Sequence, residues 1–163
     1  MGEPSAGRTT DRGSSPLIVS ACLLGVRCNH EGEANTSSAV VALGERHRLL
    51  PVCPETAGGL PTPRPAAALQ PDRCVRTADG SDVTEAYRRG AGHTVRMARA
   101  AGATAAILKA RSPSCGCHQV YDGSFRRTLV AGEGITARAL RDAGVPVYDE
   151  DDVAAGAVAA EPP

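Results

Sequence analysis

Apolar positions fall in short blocks whose spacing changes along the chain. The first block, "PLIVSAC" at residues 16–22, is brief, partly β-branched and followed by Gly25, which predicts a buried strand. A second, "HRLLPVC" at residues 47–53, stops at Pro54 and reads the same way. Between them "TSSAVVALGE", residues 36–45, predicts a weak helix with Thr36 or Ser37 as its N-cap. From Asp82 to Ala101 the period lengthens: Tyr87, Ala91, Val95, Ala98 and Ala101 recur at three- and four-residue steps. Asp82 is the expected N-cap, with Glu85 completing a capping box, and Gly102 is the expected stop. "ATAAILK", residues 103–109, predicts a third strand. "GITARALRD", residues 134–142, predicts a short amphipathic helix ended by Gly144, and "VPVYD", residues 145–149, a fourth strand. A last weak helix is expected from Asp152.

Strands that alternate with helices at these spacings imply an α/β fold with a mostly parallel sheet of about four strands. The Pro-rich segment from Gly58 to Pro71 is the clearest loop, and a loop of that length in a compact domain is usually functional. In open parallel sheets, ligands bind beyond the carboxyl ends of the strands. Cys22 ends the first predicted strand, Cys53 the second, and Cys115 follows the third. The inferred sheet therefore carries three thiols to one rim.

Composition narrows the class. The 163 residues are 42% hydrophobic but only 2% aromatic, so the core must be built from Ala, Val, Leu and Ile. Eighteen basic and eighteen acidic residues cancel, which argues against a nucleic-acid backbone or an anionic membrane as the main partner. No apolar run reaches the ~18 residues of a membrane span. The opening "MGEPSAGRTTDRGSSP" has no apolar core and is not a secretory signal. Residues 1–15 are expected to be a disordered leader, residues 16–159 a single domain, and the terminal "EPP" frayed. Without an export signal, six cysteines point to metal ligands or nucleophiles in a cytoplasmic protein rather than to a disulfide framework.

Each cysteine also has an ordinary reading as a small buried hydrophobe. That reading weakens for Cys22, Cys53 and Cys115, because each follows an apolar strand and precedes a turn whose N–H groups can favour thiolate. Cys28 ranks second, Cys74 in "DRCVR" reads as an ordinary thiol, and Cys117 makes a C-x-C pair with Cys115. Paired C-x2-4-C knuckles, the zinc signature, are absent. Widely spaced single cysteines suit an iron–sulfur cluster instead. Three ligands would leave one metal position open to substrate. Glu55, two residues past Cys53, is a turn carboxylate or a functional one. Ser112 and Ser114 cap a turn at Pro113 or handle substrate, and Tyr121, Asp122 and Ser124 suggest an Asx turn at Gly123. Arg64 either holds a substrate oxygen or phosphate or solubilises its loop. His30 and His118 sit in polar loops and are weak ligand candidates.

Five segments in order, "SACLLG", "PVCPETAGGLPTPRP", "SDVTEAYRRGA", "AILKARSPSCG" and "VYDGSF", resemble the thiouracil desulfidase (TudS-type) domain family over about Leu17 to Glu150. The resemblance implies a Rossmann-like three-layer αβα domain holding a [4Fe–4S] cluster by three cysteines, which here would be Cys22, Cys53 and Cys115. It implies a desulfidase that replaces the sulfur of thiouracil, or of a related thiolated pyrimidine base or nucleoside, by oxygen. Hydrogen sulfide leaves and there is no net redox change. The family's acidic and hydroxyl partners fall on Glu55, as general base, and Ser112, as an orienting hydroxyl. The family's "YDG" after the first cysteine is replaced by "NHEG", which puts His30 and Glu31 in that turn. The competing readings are an iron–sulfur sensor and, behind it, a zinc or dithiol redox protein using Cys115 and Cys117.

Overall fold

The computed structural model describes residues 15–158. The expected leader, residues 1–15, falls almost wholly outside them, as does the terminal "EPP". Four parallel strands form the central sheet: β1 (Pro16–Ser20), β2 (Arg48–Val52), and two strands that come later in the chain, Ala105–Leu108 and Val147–Asp149. Short antiparallel strands intervene, β3 (Ala67–Leu69) with β4 (Val75–Thr77), and β6 (Gln119–Tyr121) with β7 (Leu129–Ala131). In chain order the two later sheet strands are therefore β5 and β8, and the sheet runs β2-β1-β5-β8. The helices are α1 (Ser38–Ala42), α2 (Pro54–Ala57), α3 (Thr84–Ala101), α4 (Ile135–Asp142) and α5 (Glu150–Ala154).

Side-chain alternation along the strands builds three layers. Ile18, Ala106 and Leu108 face one side and pack with Ala98 of α3 and Ala137 and Leu140 of α4. Leu17, Val19 and Ile107 face the other and pack with Val40 of α1 and Val153 of α5. Ile18, Ile107 and Leu108 are fully buried, each contributing about 1.5–3 kcal/mol by removal from water. The four-strand parallel sheet is the one that the hydrophobic pattern predicts, and the three αβα layers are those that the resemblance implies.

Boundaries and small elements differ. β1 ends at Ser20, because residues 21–24 tighten into a 3₁₀ turn closed by Gly25 at φ +96°, so Cys22 lies in that turn rather than on the strand. Ser37 caps α1 as one of the two expected caps, its side chain accepting from the Val40 N–H at 3.3 Å. Asp82 does not cap α3. The cap position is Val83, Asp82 accepts instead from the Thr84 N–H at 2.9 Å, and Glu85 turns outward to Arg88. Gly102 ends α3 in the left-handed region, as expected. The last helix begins at Glu150, two residues early, under a capping box of Asp149 and Asp152. The predicted long loop carries β3, and both hairpins went unpredicted.

Candidate metal and substrate site

Three loops leave the carboxyl ends of β1, β2 and β5 and enclose one cavity of ≈ 610 Å³. Cys22, Cys28, Cys53 and Cys115 all line it. The cavity sits where strand order reverses around β1, the place a parallel sheet offers a ligand. Cys22 comes from the 3₁₀ turn, and its carbonyl accepts from the Asn35 N–H at 2.9 Å. Cys53 occupies the N-cap position of α2 and donates to the Cys28 carbonyl at 3.7 Å. Cys115 is buried, and its sulfur accepts from Ser20 Oγ at 3.4 Å. Ser20 Oγ in turn accepts the Lys109 N–H at 2.9 Å, so one hydroxyl ties the end of β1 to the end of β5. Ser20 and Asn35 drew no notice in the sequence, where neither carries a motif of its own.

Cys22, Cys28 and Cys115 are not poised as thiolates by their turns. Burial raises Cys115 to about 12, against the pull of Ser20, with Glu55, Cys22 and Cys53 pushing the same way. Burial and the neighbouring Cys53 and Cys22 likewise raise Cys28 to about 12. Burial raises Cys22, although Asn35 and Lys109 oppose it. The turn N–H groups that might have helped are taken: Ser112 Oγ accepts from the Ser114 N–H at 3.1 Å and from the Cys115 N–H at 3.0 Å. A cage of crowded thiols of this kind ionises when cations arrive, since metal binding displaces the protons. An all-sulfur donor set selects soft or borderline metals and is the usual ligand set of iron–sulfur clusters.

Glu55 lines the same cavity from the first turn of α2, with its side chain 15% exposed. Tyr87 of α3 donates its hydroxyl to Oε1 at 2.5 Å, and Arg64 donates Nε to Oε2 at 3.0 Å and Nη2 to the same oxygen. Arg64 settles differently from either reading of its loop. Its side chain is only 4% exposed, and it spends all five N–H donors inside the protein. Besides Glu55 they go to the Pro61 carbonyl and Thr62 Oγ1, both at 3.1 Å, and to the Cys28 carbonyl at 2.9 Å. Burial opposes the charge on Arg64, but Glu55 outweighs it and holds the guanidinium above its usual range. Tyr87, read from sequence only as part of a helix face, is raised by burial and by the Glu55 charge, and so stays a donor. A buried tyrosine hydroxyl needs a partner, which is the one signal that marked it.

The four-residue α2 lies on the 18-residue α3 by backbone contact, which sets this carboxylate. A Cβ on Gly90 of α3 would lie 1.8 Å from the Pro54 carbonyl oxygen, and one on Gly58 would lie 1.9 Å from that of Ala86. Only glycine at both positions lets α2 lie so close on α3.

The hairpins complete the wall. Ala67 and Ala68 of β3 line the cavity, as do Tyr121, Phe125 and Arg127 around the β6–β7 turn. Asp122 accepts from the Ser124 N–H at 2.9 Å, the Asx turn expected at Gly123. Phe125 and Arg127 hold positive φ, 60° and 58°, in a loop where side chains rarely do. Phe125 and Lys109 fall inside the resembling segments "VYDGSF" and "AILKARSPSCG" without a role of their own, and Arg127 lies outside all five segments. His30 and Glu31 line the cavity from the "NHEG" turn, but His118 lies outside it, exposed and bonded to Asp152 at 2.8 Å. Cys74 lies outside it too, at the β3–β4 turn. Cys117 also points elsewhere, with Asp149 3.9 Å from its sulfur, so the C-x-C residues do not act as a pair.

Fold and site together define a parallel α/β domain that gathers single cysteines from several strand ends around an open cavity, beside a fixed carboxylate. The family model described as 2-thiouracil desulfurase matches residues 17–152, and the chain belongs to that family. The chain is 36% identical over 146 residues to YbbK of Bacillus subtilis (strain 168), a protein described as uncharacterised, covering 84% of this chain and 97% of that one. The solved structure of the [4Fe–4S]-dependent thiouracil desulfidase TudS (DUF523Vcz) superposes with a TM-score of 0.80 at 42% identity, covering 89% of this chain and 97% of TudS.

Proposed function

We propose that this protein is a [4Fe–4S]-dependent thiouracil desulfidase, with Cys22, Cys53 and Cys115 as the cluster ligands. The observation that carries the reading is the arrival of these three thiols, from three different strand ends, in one cavity with Glu55. When bound, the cluster supplies an open iron that acts as a Lewis acid toward the thiocarbonyl sulfur. The residues supply the rest. Glu55 takes a proton from the water that attacks the ring carbon, and its carboxylate is aimed by Tyr87 and Arg64. Ser112 accepts two backbone hydrogen bonds, which leaves its own hydroxyl proton free to orient the base or the water. Phe125 and Tyr121 offer exposed rings beside the cavity for a flat pyrimidine. Water supplies the oxygen of the product, hydrogen sulfide leaves, and no electrons are gained or lost. The substrate is a small thiolated pyrimidine base or nucleoside. The thiol-rich site suits a reducing cytoplasm, and no helix among the described residues is long and apolar enough to cross a membrane.

Anaerobic reconstitution tests the proposal. The expected product is a brown protein with about four irons and four sulfides per chain, releasing sulfide from 2-thiouracil or 4-thiouracil or their nucleosides. A colourless protein after reconstitution, or an intact cluster that releases sulfide from none of these, would overturn it.

A further inference from the structure

The acidic run Asp149–Asp152 divides its charges. Glu150 binds Lys109 Nζ at 2.6 Å, and Asp151 binds Arg111 Nη2 at 3.0 Å. Asp149 and Asp152 instead turn toward Cys117 and His118 at the exit of the loop that bears Cys115. One ligand atom from each of these four residues lies within 4.8 Å of the other three. None of the four lines the cavity.

The capping box of α5 explains only part of this. It uses Asp149 Oδ1, which accepts from the Asp152 N–H at 2.9 Å, and Asp152 Oδ2, which accepts from the Asp149 N–H at 3.0 Å. It does not need Asp149 Oδ2. That oxygen belongs to a side chain only 6% exposed, and among the described residues no N–H or O–H donates to it. Its neighbours are the Cys117 sulfur and His118 Nε2, both at 3.9 Å. Cys117 is itself 3% exposed. The Cys117 S–H is its donor at 3.9 Å, a weak one, so a buried carboxylate oxygen and a buried thiol face each other in a donor set that a cation would satisfy better. The nearby guanidinium of Arg141 is engaged by Glu133 at 2.6 Å.

We propose that Cys117, His118, Asp149 and Asp152 form a second metal site, for a zinc-type divalent ion, outside the cavity. One sulfur, one imidazole nitrogen and two carboxylate oxygens are a donor set zinc accepts in tetrahedral geometry. The thiol disfavours magnesium and calcium, which take oxygen. Tetrahedral arms of ~2.0–2.3 Å put ligand atoms roughly 3.3–3.8 Å apart, so the cluster closes on an ion with small movements, chiefly of the exposed His118 ring. Binding releases the Cys117 proton to solvent, and no electrons move. The ion braces the loop holding Ser112 and Cys115 against β8 and α5. The C-x-C sequence thus serves two metal sites, with Cys115 at one and Cys117 at the other.

Zinc titration of the full chain, in competition with a chromophoric chelator under anaerobic conditions, tests this. The readout is the difference between wild type and variants, which holds whatever occupies the Cys22–Cys53–Cys115 site, so its failure is separate from failure of the desulfidase reading. Wild type is expected to bind one zinc more than Cys117→Ser. His118→Ala leaves the capping box intact and is expected to weaken that zinc by more than about 10-fold, the loss seen even when only an outer partner of a ligand is removed. Cys74→Ser is expected to change nothing. Cobalt at the same site should show a sulfur-to-metal charge-transfer band that Cys117→Ser abolishes. Equal zinc stoichiometry and affinity in wild type, Cys117→Ser and His118→Ala would overturn the proposal. Should Cys117→Ser fail to fold, His118→Ala alone decides.

Discussion

The rim of the parallel sheet and the two antiparallel hairpins line one cavity but are built on different terms. At the rim, position follows from buried strands. Cys22, Cys53 and Cys115 sit one to seven residues past strands whose side chains fill two cores, and Glu55 is held by two residues from separate segments. The hairpins have strands of three residues each, and their cavity-facing Phe125 and Tyr121 are exposed. Among the described residues, what crosses between the hairpin segments is side-chain hydrogen bonding, from Gln70 Nε2 to the Gly123 carbonyl at 3.3 Å and from Arg73 Nη1 to the Glu133 carbonyl just past β7 at 2.9 Å. The rim is preorganised and suits bond chemistry, whereas the hairpins can adjust and suit the choice of substrate.

Four substitutions break or sharpen that contrast. Cys53→Ser should have the largest effect, because a serine hydroxyl cannot replace a thiolate ligand. Iron content should fall to background and sulfide release should vanish, with the fold retained by circular dichroism. Glu55→Ala should keep the iron and lower kcat by about 10²- to 10⁴-fold, the usual worth of a positioned base. Full activity of that variant would remove Glu55 from the chemistry. Tyr87→Phe removes one hydrogen bond to a charged partner and should cost about 1.5–3 kcal/mol in urea unfolding. Its kcat should fall while KM holds, since it only aims the carboxylate. Phe125→Ala should be mildest, raising KM by roughly 2- to 12-fold for the loss of ~0.5–1.5 kcal/mol of ring contact. If Phe125→Ala lowered kcat as far as Glu55→Ala does, the division between rim and wall would fail.

The same contrast decided what could be read from the sequence. The sheet strands were legible because short apolar runs ending at Gly or Pro leave few alternatives, and their parallel direction followed from the helices between them, whereas the order β2-β1-β5-β8 was not read. The three rim cysteines and Glu55 came with those strand ends. The hairpins were not legible: three residues carry no period, and "AAL" or "VRT" is a strand only because its partner exists. The tie between Arg64 and Glu55 was not legible, because nothing in "PTPRPA" points to a carboxylate nine residues earlier. The cap of α3 shifted to Val83, with the Asp82 carboxylate accepting from the Thr84 N–H instead of forming the expected box with Glu85. Cys117 looked like half of a pair, but loop geometry sent it to Asp149.

The contact of α2 on α3 through Gly58 and Gly90 also shapes how this protein can vary. The outward face of α3 bears Arg88, Arg96 and Arg99, where a saturation library should find broad tolerance. Gly90 touches neither cavity nor solvent, yet any side chain there must push the Pro54 carbonyl and carry the neighbouring carboxylate with it. A scan scored by turnover alone would rank that position with the active residues. Scored by abundance as well, it would separate them, and homologues that change residue 90 should be sought among those that have also rebuilt the turn after β2.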